Sequence, residues 1–219
     1  MNLVLIPSII KVPQTPLSYN NTRSVFSREE RYAQTKRTLE TVREKIPNCR
    51  ILLVECSPFT PEEKDYFERS CDYIINLYDN EHEKNAIFSI SKSWGEGTMT
   101  MSAFRYIQEK GIVYDRLFKI SGRYWLDDFF VYKENEISTI AYIQENSDNV
   151  STALYILNRE HFEKWNAYLL ESNERFYRCD GYEEIFASFM KTLPETNYIV
   201  LPRIGVSGYI APFGNIMEM

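Results

Sequence analysis

The sequence is short of the residues on which several common kinds of site depend. It has two histidines, His82 and His161, so a histidine-centred metal site or histidine-based triad is disfavoured. Its four cysteines form no Cys-x-x-Cys pair, which argues against a zinc framework and is typical of a reducing compartment. The net charge of −6 disfavours nonspecific binding to nucleic acid, because neutralising phosphates requires a basic surface.

Long apolar runs are absent too. No stretch approaches the ~18 apolar residues of a membrane span, and the early run "LVLIPSII" lacks the basic residues that begin a signal peptide. We therefore expect a cytoplasmic protein without a membrane span. What the chain does have is 44% hydrophobic and 15% aromatic residues over 219 positions, enough for a sizeable core. We expect one domain over residues 1–219, with the oligomeric state left open.

The first 126 residues alternate between strand patterns and helix patterns. Four apolar runs predict strands, at residues 2–10, 49–57, 71–79 and 115–121. Helix patterns separate them, so right-handed βαβ crossovers and a mainly parallel central sheet flanked by helices are expected, an α/β, Rossmann-like class. Residues 127–219 form a less regular half, with a strand at 151–158, two helices, and a last strand before a glycine-rich tail.

Helix starts support this organisation. Ser27 with Glu30, and Thr60 with Glu63, have the spacing of capping boxes. A third helix is predicted at about residues 94–110.

In an open parallel sheet, ligands bind beyond the carboxyl ends of the strands. That rule selects Pro7–Ser8, Glu55–Ser57, Ser91–Gly97 and Ser121–Tyr124.

The segment "SKSWGEG" has the features of an anion site. Lys92 precedes Gly95 and Gly97 at a helix start, where free backbone N–H groups and the helix dipole favour negative charge. The GxxxxGK[ST] order of a Walker A loop is absent. Ser93 and Glu96 also have the spacing of a capping box, so a well-formed helix start explains the same residues.

The segment "SGRY" follows the fourth predicted strand. After Ser121, Gly122 allows a ligand to approach the backbone, and Arg123 can hold a diphosphate through two hydrogen bonds. The alternative is a strand-end bulge in which the arginine binds a neighbouring carboxylate. Glu55 can accept hydrogen bonds from a ribose or a base, or is simply a solvated strand end.

Four carboxylates remain as candidates for chemistry. Asp180 begins a helix pattern that gives Glu183 a capping-box position and gives Glu184 no structural role. Either glutamate can act as general base for an acceptor hydroxyl. Asp127 and Asp128 can bind a divalent cation through oxygen, although capping the following turn is the favoured interpretation.

The remaining arginines are less specific. Arg23, Arg28 and Arg31 surround the first capping box and indicate a mostly solvated face, of which Arg23, in the loop after the first strand, is the candidate ligand. Arg203, with the glycines at 205 and 208, lies in a tail that can fold over a phosphate or form an ordinary loop.

Taken together, several segments resemble GT-A-type glycosyltransferases of a viral and bacterial kind. They are "TRSVFSREERYAQTKRTLETVREKIPNCRILLVECS", "KSWGEG", "FKISGRYWLDDF", "GYEEIF" and "LPRIGVSGYIAPFG". The resemblance extends along essentially the whole chain. It implies a GT-A-like fold, with residues 1–126 binding the nucleotide sugar and residues 127–219 forming the acceptor side.

The resemblance also implies a reaction. A sugar would pass from a nucleoside diphosphate, often UDP, to the hydroxyl of a glycan or glycoconjugate. Matching positions would hold the nucleoside (Pro7, Ser8, Glu55), surround the diphosphate (Lys92–Gly97, Ser121–Arg123) and supply the base (Glu183 or Glu184).

One departure from the family pattern leaves the cofactor open. GT-A enzymes commonly carry Asp-x-Asp at the end of the fourth strand to hold Mn²⁺ or Mg²⁺, and this chain has Ser121-Gly122-Arg123 there. Either Arg123 and Lys92 replace the metal's charge, or Asp127 and Asp128 form a displaced site. A non-catalytic sugar- or nucleotide-binding module is the alternative that this departure favours. A sugar nucleotidyltransferase is less favoured, because "IPSIIKVPQTP" replaces its glycine-rich signature.

Overall fold

The computed structural model describes residues 1–132, 139–143 and 148–219. Within these ranges, ten strands form two sheets. The bounds of the strands are β1 (Asn2–Ser8), β2 (Cys49–Glu55), β3 (Tyr73–Asn76), β4 (Arg116–Ile120), β5 (Tyr124–Leu126), β6 (Thr139–Ile143), β7 (Val150–Asn158), β8 (Tyr198–Leu201), β9 (Val206–Tyr209) and β10 (Ile216–Glu218).

The larger sheet has the strand order β3-β2-β1-β4-β7-β6-β8. Its first four strands are parallel, β7 runs antiparallel to both β4 and β6, and β8 is parallel to β6. The predicted α/β class with a mainly parallel sheet is therefore confirmed, and the four strands expected in the first 126 residues are its neighbouring strands. The smaller sheet is antiparallel, in the order β10-β9-β5.

Helices cover both faces of the larger sheet. Their bounds are α1 (Arg28–Lys45), α2 (Pro61–Ser70), α3 (Glu81–Ile87), α4 (Lys92–Glu109), α5 (Arg159–Glu171), α6 (Asn173–Tyr177) and α7 (Tyr182–Met190). The capping boxes expected at the starts of α1 and α2 are present. The box expected between Ser93 and Glu96 is wrong: Ser91 caps α4, and its side chain accepts a hydrogen bond from the Trp94 amide. In the described part of the chain, no helix is both long and apolar enough to cross a membrane.

The alternation of side chains along β1 divides the core into two layers. Leu3 and Leu5 pack with apolar residues of α4, α5 and α7 on one face. Val4 and Ile6 pack with those of α1 and α2 on the other. Burial of each such side chain stabilises the fold by about 1.5–3 kcal/mol, so β1 is held rigidly at the centre of the molecule.

The carboxyl ends of β1 and β4 meet closely at the top of the sheet. The Gly122 amide donates to the Pro7 carbonyl at 2.8 Å, and the hydroxyl of Thr35, on α1, donates to the Gly122 carbonyl at 2.9 Å. A side chain at Gly122 would place its Cβ 2.8 Å from the Cβ of Ser8. The glycine therefore serves the contact between the two strand ends, and this contact sets the position of the residues that follow β4.

Candidate functional site

A cavity of about 260 Å³ opens beyond the carboxyl ends of β1 and β4. Its walls come from the loop after β1, the first two turns of α4, the turn after β4, the start of α7 and the loop after β9. Most of the site residues predicted from the sequence line it: Pro7, Ser8, Arg23, Lys92, Gly95, Glu96, Ser121, Gly122, Arg123 and Glu183. The structure thus brings together the two segments that sequence reasoning singled out for anion binding.

An ion pair lies at the wall of this cavity. The Lys92 Nζ is 3.3 Å from Oε1 of Glu183, and the two side chains are 35% and 29% exposed. The negative charge of Glu183 raises the pKa of Lys92. Burial opposes ionisation of Glu183, but the charge of Lys92, a backbone hydrogen bond and the charge of Lys119 together outweigh it and lower the pKa of the carboxyl. Both groups are therefore charged at neutral pH and remain accessible to a ligand.

A second lysine–glutamate pair lies beneath the first. Lys119, on β4, is fully buried and donates to Glu96 Oε1 of α4, to the Thr152 carbonyl at 2.9 Å and to Ser121 Oγ at 3.3 Å. The Thr152 hydroxyl also donates to Glu183 Oε1 at 3.4 Å, which connects the two pairs. Sequence reasoning missed Lys119, although a lone lysine inside an apolar strand run was an available signal.

Two arginines complete the cationic side of the cavity. Arg31 is only 5% exposed, so its interpretation as part of a solvated face is wrong. Its Nε and Nη2 both donate to the Ile9 carbonyl, at 3.2 and 3.1 Å. Burial, and then the charge of Arg123, lower the pKa of Arg31 to about 10. The nearby groups that bury Arg31 are distant in sequence, so its local pattern gave no signal.

Arg123 contributes a second guanidinium to the same wall. Its Nη2 donates to the Tyr124 hydroxyl at 3.2 Å, and its Nε is buried without a hydrogen-bond partner among the described residues. Burial opposes the charge of this guanidinium, but Tyr124, Glu96 and Glu183 together outweigh it and raise the pKa of Arg123. The alternative interpretation, an arginine bound to a neighbouring carboxylate, has no ion pair to support it in the described part of the chain.

The structure exchanges the expected roles of the two glutamates on α7. The N-cap of the helix is Gly181, whose amide donates to Oε2 of Glu184 at 3.3 Å. The capping position assigned to Glu183 is therefore wrong, and Glu184 has the structural role it was thought to lack. Cys179 has a positive φ of 62° just before the helix, and Glu183, in its first turn, lines the cavity.

The glycines of α4 serve packing between helices. A Cβ on Gly95 would lie 2.9 Å from the Ile87 carbonyl oxygen, at the end of α3. A Cβ on Gly97 would lie 2.5 Å from the Phe176 ring, and this glycine does not line the cavity. The two glycines therefore allow the start of α4 to lie close to α3 and α6, which brings Lys92 and Glu96 to the cavity wall.

Two candidate ligands after the first strands have internal partners instead. Arg23 lines the cavity, but its guanidinium donates to the carbonyls of Thr15, Ile87 and Ser89. Glu55 is fully buried and outside the cavity lining, so it is not a solvated strand end. Its Oε1 accepts hydrogen bonds from the Ile10 amide, the Cys56 amide and the Ser57 hydroxyl, and burial raises its pKa.

Three other candidates lie away from the cavity lining. Arg203 is exposed, with its guanidinium carbon 3.2 Å from the centre of the Phe129 ring. Asp127 accepts hydrogen bonds from the Phe129 amide at 2.8 Å and from the Ser207 hydroxyl at 2.7 Å, so it caps the turn as the favoured interpretation held. Asp128 is fully exposed and 3.4 Å from the ammonium of Lys45.

The residues present do not fit a divalent cation site of the Asp-x-Asp kind. Glu96 and Glu183, which line the cavity, are each paired with a lysine. No group of three histidine, cysteine or acidic side chains that could hold a metal occurs in the ranges the structure covers. Arg123, which follows β4, adds a positive charge to the cavity wall, and that charge repels a metal ion.

The outer part of the cavity is apolar and was not found from the sequence. Leu17 is buried there, whereas Tyr19 and Phe213 line the mouth with 62% and 59% of their surfaces exposed. They belong to the loops after β1 and after β9, which are joined by a hydrogen bond from the Val25 amide to the Ala211 carbonyl at 2.9 Å. An aromatic count alone does not indicate which rings reach a site.

No family model and no curated protein sequence matches this chain. Among solved structures, it is similar to a nucleoside-diphosphate-sugar pyrophosphorylase from Vibrio cholerae RC9, with 10% identity and a TM-score of 0.52 over 94% of each chain. It also matches a glycosyltransferase involved in glycosylation of the major capsid of PBCV-1, with 14% identity and a TM-score of 0.49 over 91% of this chain and 80% of the other. The similarity to the Vibrio protein shows a shared fold over nearly the whole chain.

Proposed function

We propose that the protein is a glycosyltransferase that moves a sugar from a nucleoside diphosphate, UDP being the first candidate, to an acceptor hydroxyl of a glycan or glycoconjugate. The observation that carries this proposal is the convergence of Lys92, Arg123 and Glu183 on one cavity at the carboxyl ends of β1 and β4. Open α/β sheets bind their ligands at this edge. The sequence resemblance to GT-A enzymes supports the same conclusion, and the fold shared with a nucleoside-diphosphate-sugar pyrophosphorylase supports its coarser part, a nucleotide-sugar ligand.

In the proposed reaction, the acceptor oxygen attacks the anomeric carbon while its proton passes to the Glu183 carboxylate. The bond between the anomeric carbon and the diphosphate oxygen breaks, and its electron pair leaves with the nucleoside diphosphate. Cationic side chains held in place before the reaction stabilise that developing charge, which is usually the largest electrostatic contribution to catalysis. A single displacement of this kind inverts the configuration at the anomeric carbon.

The ion pair at the wall links substrate binding to the strength of the base. In the free protein, Lys92 holds the pKa of Glu183 below its ordinary value, which makes the carboxylate a weak base. A diphosphate that draws the Lys92 ammonium away removes this effect. The pKa of Glu183 then rises, so the carboxylate becomes a better proton acceptor only when the donor substrate is bound.

The test is release of nucleoside diphosphate from a panel of nucleotide sugars with glycan acceptors, beginning with the UDP sugars. Glu183→Gln should abolish transfer and retain binding of the nucleotide. Glu184→Gln is the matched control, because it changes the neighbouring glutamate, which caps α7 outside the cavity lining. Full activity in Glu183→Gln would remove the proposed base, and no turnover of any nucleotide sugar by the unaltered protein would contradict the transferase assignment.

A non-catalytic nucleotide- or sugar-binding module is the second candidate. It is favoured by the ion pair that lowers the pKa of Glu183 in the free protein. Such a module would bind UDP or a UDP sugar in calorimetry and release no nucleoside diphosphate with any acceptor. The same panel therefore separates the two functions.

A further inference from the structure

Arg31 and Arg123 have hydrogen-bonding capacity that the described part of the protein does not use. An arginine carries five N–H donors. Arg31 commits three of them, two to the Ile9 carbonyl and one to the Gln34 side chain at 3.4 Å. Arg123 commits one, to the Tyr124 hydroxyl, and its buried Nε has no partner among the residues described. Both side chains line the cavity, so a ligand there can accept from the remaining donors.

This arginine pair also has no carboxylate in direct contact with it in the described part of the chain. The two carboxylates that line the cavity already neutralise lysines, Glu96 with Lys119 and Glu183 with Lys92. Neither arginine forms an ion pair within the ranges covered by the structure. Two like charges in a largely enclosed site repel each other, and a dianionic ligand between them turns that repulsion into attraction. The planar fork of a guanidinium matches the oxygens of a phosphate.

We propose that Arg31 and Arg123 form a metal-independent binding site for the diphosphate, at the place where a GT-A enzyme with Asp-x-Asp would use a divalent cation. This inference rests on the proposed function for the identity of the ligand. The two guanidinium groups hold the diphosphate oxygens of the donor. They also take up the negative charge that develops when the bond to the sugar breaks. Arg31 thereby gains a binding role that its position in a charged helix face did not indicate.

The test is isothermal titration of the full chain with inorganic pyrophosphate and with UDP in the presence of EDTA. Both should bind, and replacing EDTA by Mg²⁺ or Mn²⁺ should not be needed for binding. Arg31→Met and Arg123→Met should each weaken pyrophosphate binding by about tenfold or more, as expected for loss of hydrogen bonds to a charged group. Arg69→Met is the matched control: it removes an arginine from an exposed pair on α2, outside the cavity lining, and should change nothing.

If Arg31→Met does not fold, conservative variants still measure the contribution of the two arginines to binding. Arg31→Lys and Arg123→Lys retain the charge and lose the planar fork, and each should show an intermediate loss of affinity with an unchanged melting temperature. Failure of pyrophosphate and UDP to bind in EDTA, with binding restored by Mn²⁺, would overturn the proposal. Equal affinity in the Met variants and in the unaltered protein would overturn it as well.

The outcomes also separate this inference from the proposed function. Metal-free binding of UDP without turnover of any nucleotide sugar would retain the arginine site and reject the transferase. Sugar transfer that requires Mn²⁺ for nucleotide binding would retain the transferase and reject the arginine site. Transfer in EDTA that is lost in Arg123→Met, and retained in Arg69→Met, would support both.

Discussion

The two lysine–glutamate pairs of the cavity have the same chemistry in different surroundings. Lys119 and Glu96 are 0% and 13% exposed, whereas Lys92 and Glu183 are 35% and 29% exposed. The inner pair has no solvent access at its ammonium and joins β4 to α4. The outer pair faces the cavity, where a ligand can replace either partner. The two pairs therefore differ in solvent access and not in residue type. The buried pair, Lys119 and Glu96, has a structural role, whereas the accessible pair, Lys92 and Glu183, can contact a ligand.

The largest expected effect is on the inner pair. Lys119→Met would leave the Glu96 carboxylate without its cation in a site that water reaches poorly. Breaking a buried ion pair on one side costs about 3–5 kcal/mol, so the free energy of unfolding should fall by about 3 kcal/mol or more. Chemical denaturation measures this loss. A stability equal to that of the unaltered protein would show that the inner pair is not part of the architecture.

A smaller effect is expected for the outer pair. Lys92→Met leaves a carboxylate that solvent can hydrate, so the free energy of unfolding should change by less than about 1 kcal/mol. Calorimetry on the same variant should show weaker binding of pyrophosphate, since the cavity loses a cation. The comparison between the two pairs fails if Lys92→Met and Lys119→Met prove equally destabilising in parallel denaturation experiments.

The smallest expected effect is on the dependence of stability on pH. The pKa of Glu183 is lowered from its ordinary value of 4.5, so the stability it contributes is fully present above that value. It is lost as the pH falls through the lowered pKa, because the unfolded chain then binds the proton more tightly. Between about pH 7 and about pH 3.5, the melting temperature should therefore fall slightly less steeply with decreasing pH for Glu183→Gln than for the unaltered protein. The same dependence of melting temperature on pH in both proteins would contradict the assignment of Glu183 as a carboxylate with a lowered pKa.

Local patterns in the sequence were sufficient for much of the fold. The capping boxes at Ser27 and Thr60 and the apolar strand runs depend on neighbouring residues, and the structure contains them. The strand-end rule then placed Lys92 and Arg123 at one edge of the sheet, and both line the cavity. The direction of each strand was harder to predict, because an apolar run has the same pattern in a parallel and in an antiparallel strand. The structure shows that β7 is antiparallel to β4.

The misassigned residues have two physical reasons, a distant contact for Arg31 and a local shift of the helix start for Glu183 and Glu184. Arg31 is buried because the loop after β1 presents the Ile9 carbonyl to it. Glu183 and Glu184 exchanged roles because the helix begins one residue later than its acidic start suggested, after a left-handed Cys179. A shift of one residue turns a helical side chain by about 100°, which is enough to move it from a cap to a cavity.

Arg23 has a consequence for how the cavity keeps its shape. The segment between β1 and α1 contains no helix or regular strand. The guanidinium of Arg23 donates to the Thr15 carbonyl within this segment and attaches the segment to the carbonyls of Ile87 and Ser89, at and just after the end of α3. The hydrogen bonds of this side chain attach the segment to α3, as hydrogen bonds between neighbouring strands attach the strands of the sheet to one another. Together with the backbone hydrogen bonds from Ser18 to Ile90 and from Val25 to Ala211, this anchor limits the conformational freedom of one wall of the cavity. The shape of the cavity therefore depends in part on a side chain whose hydrogen bonds are all internal to the protein.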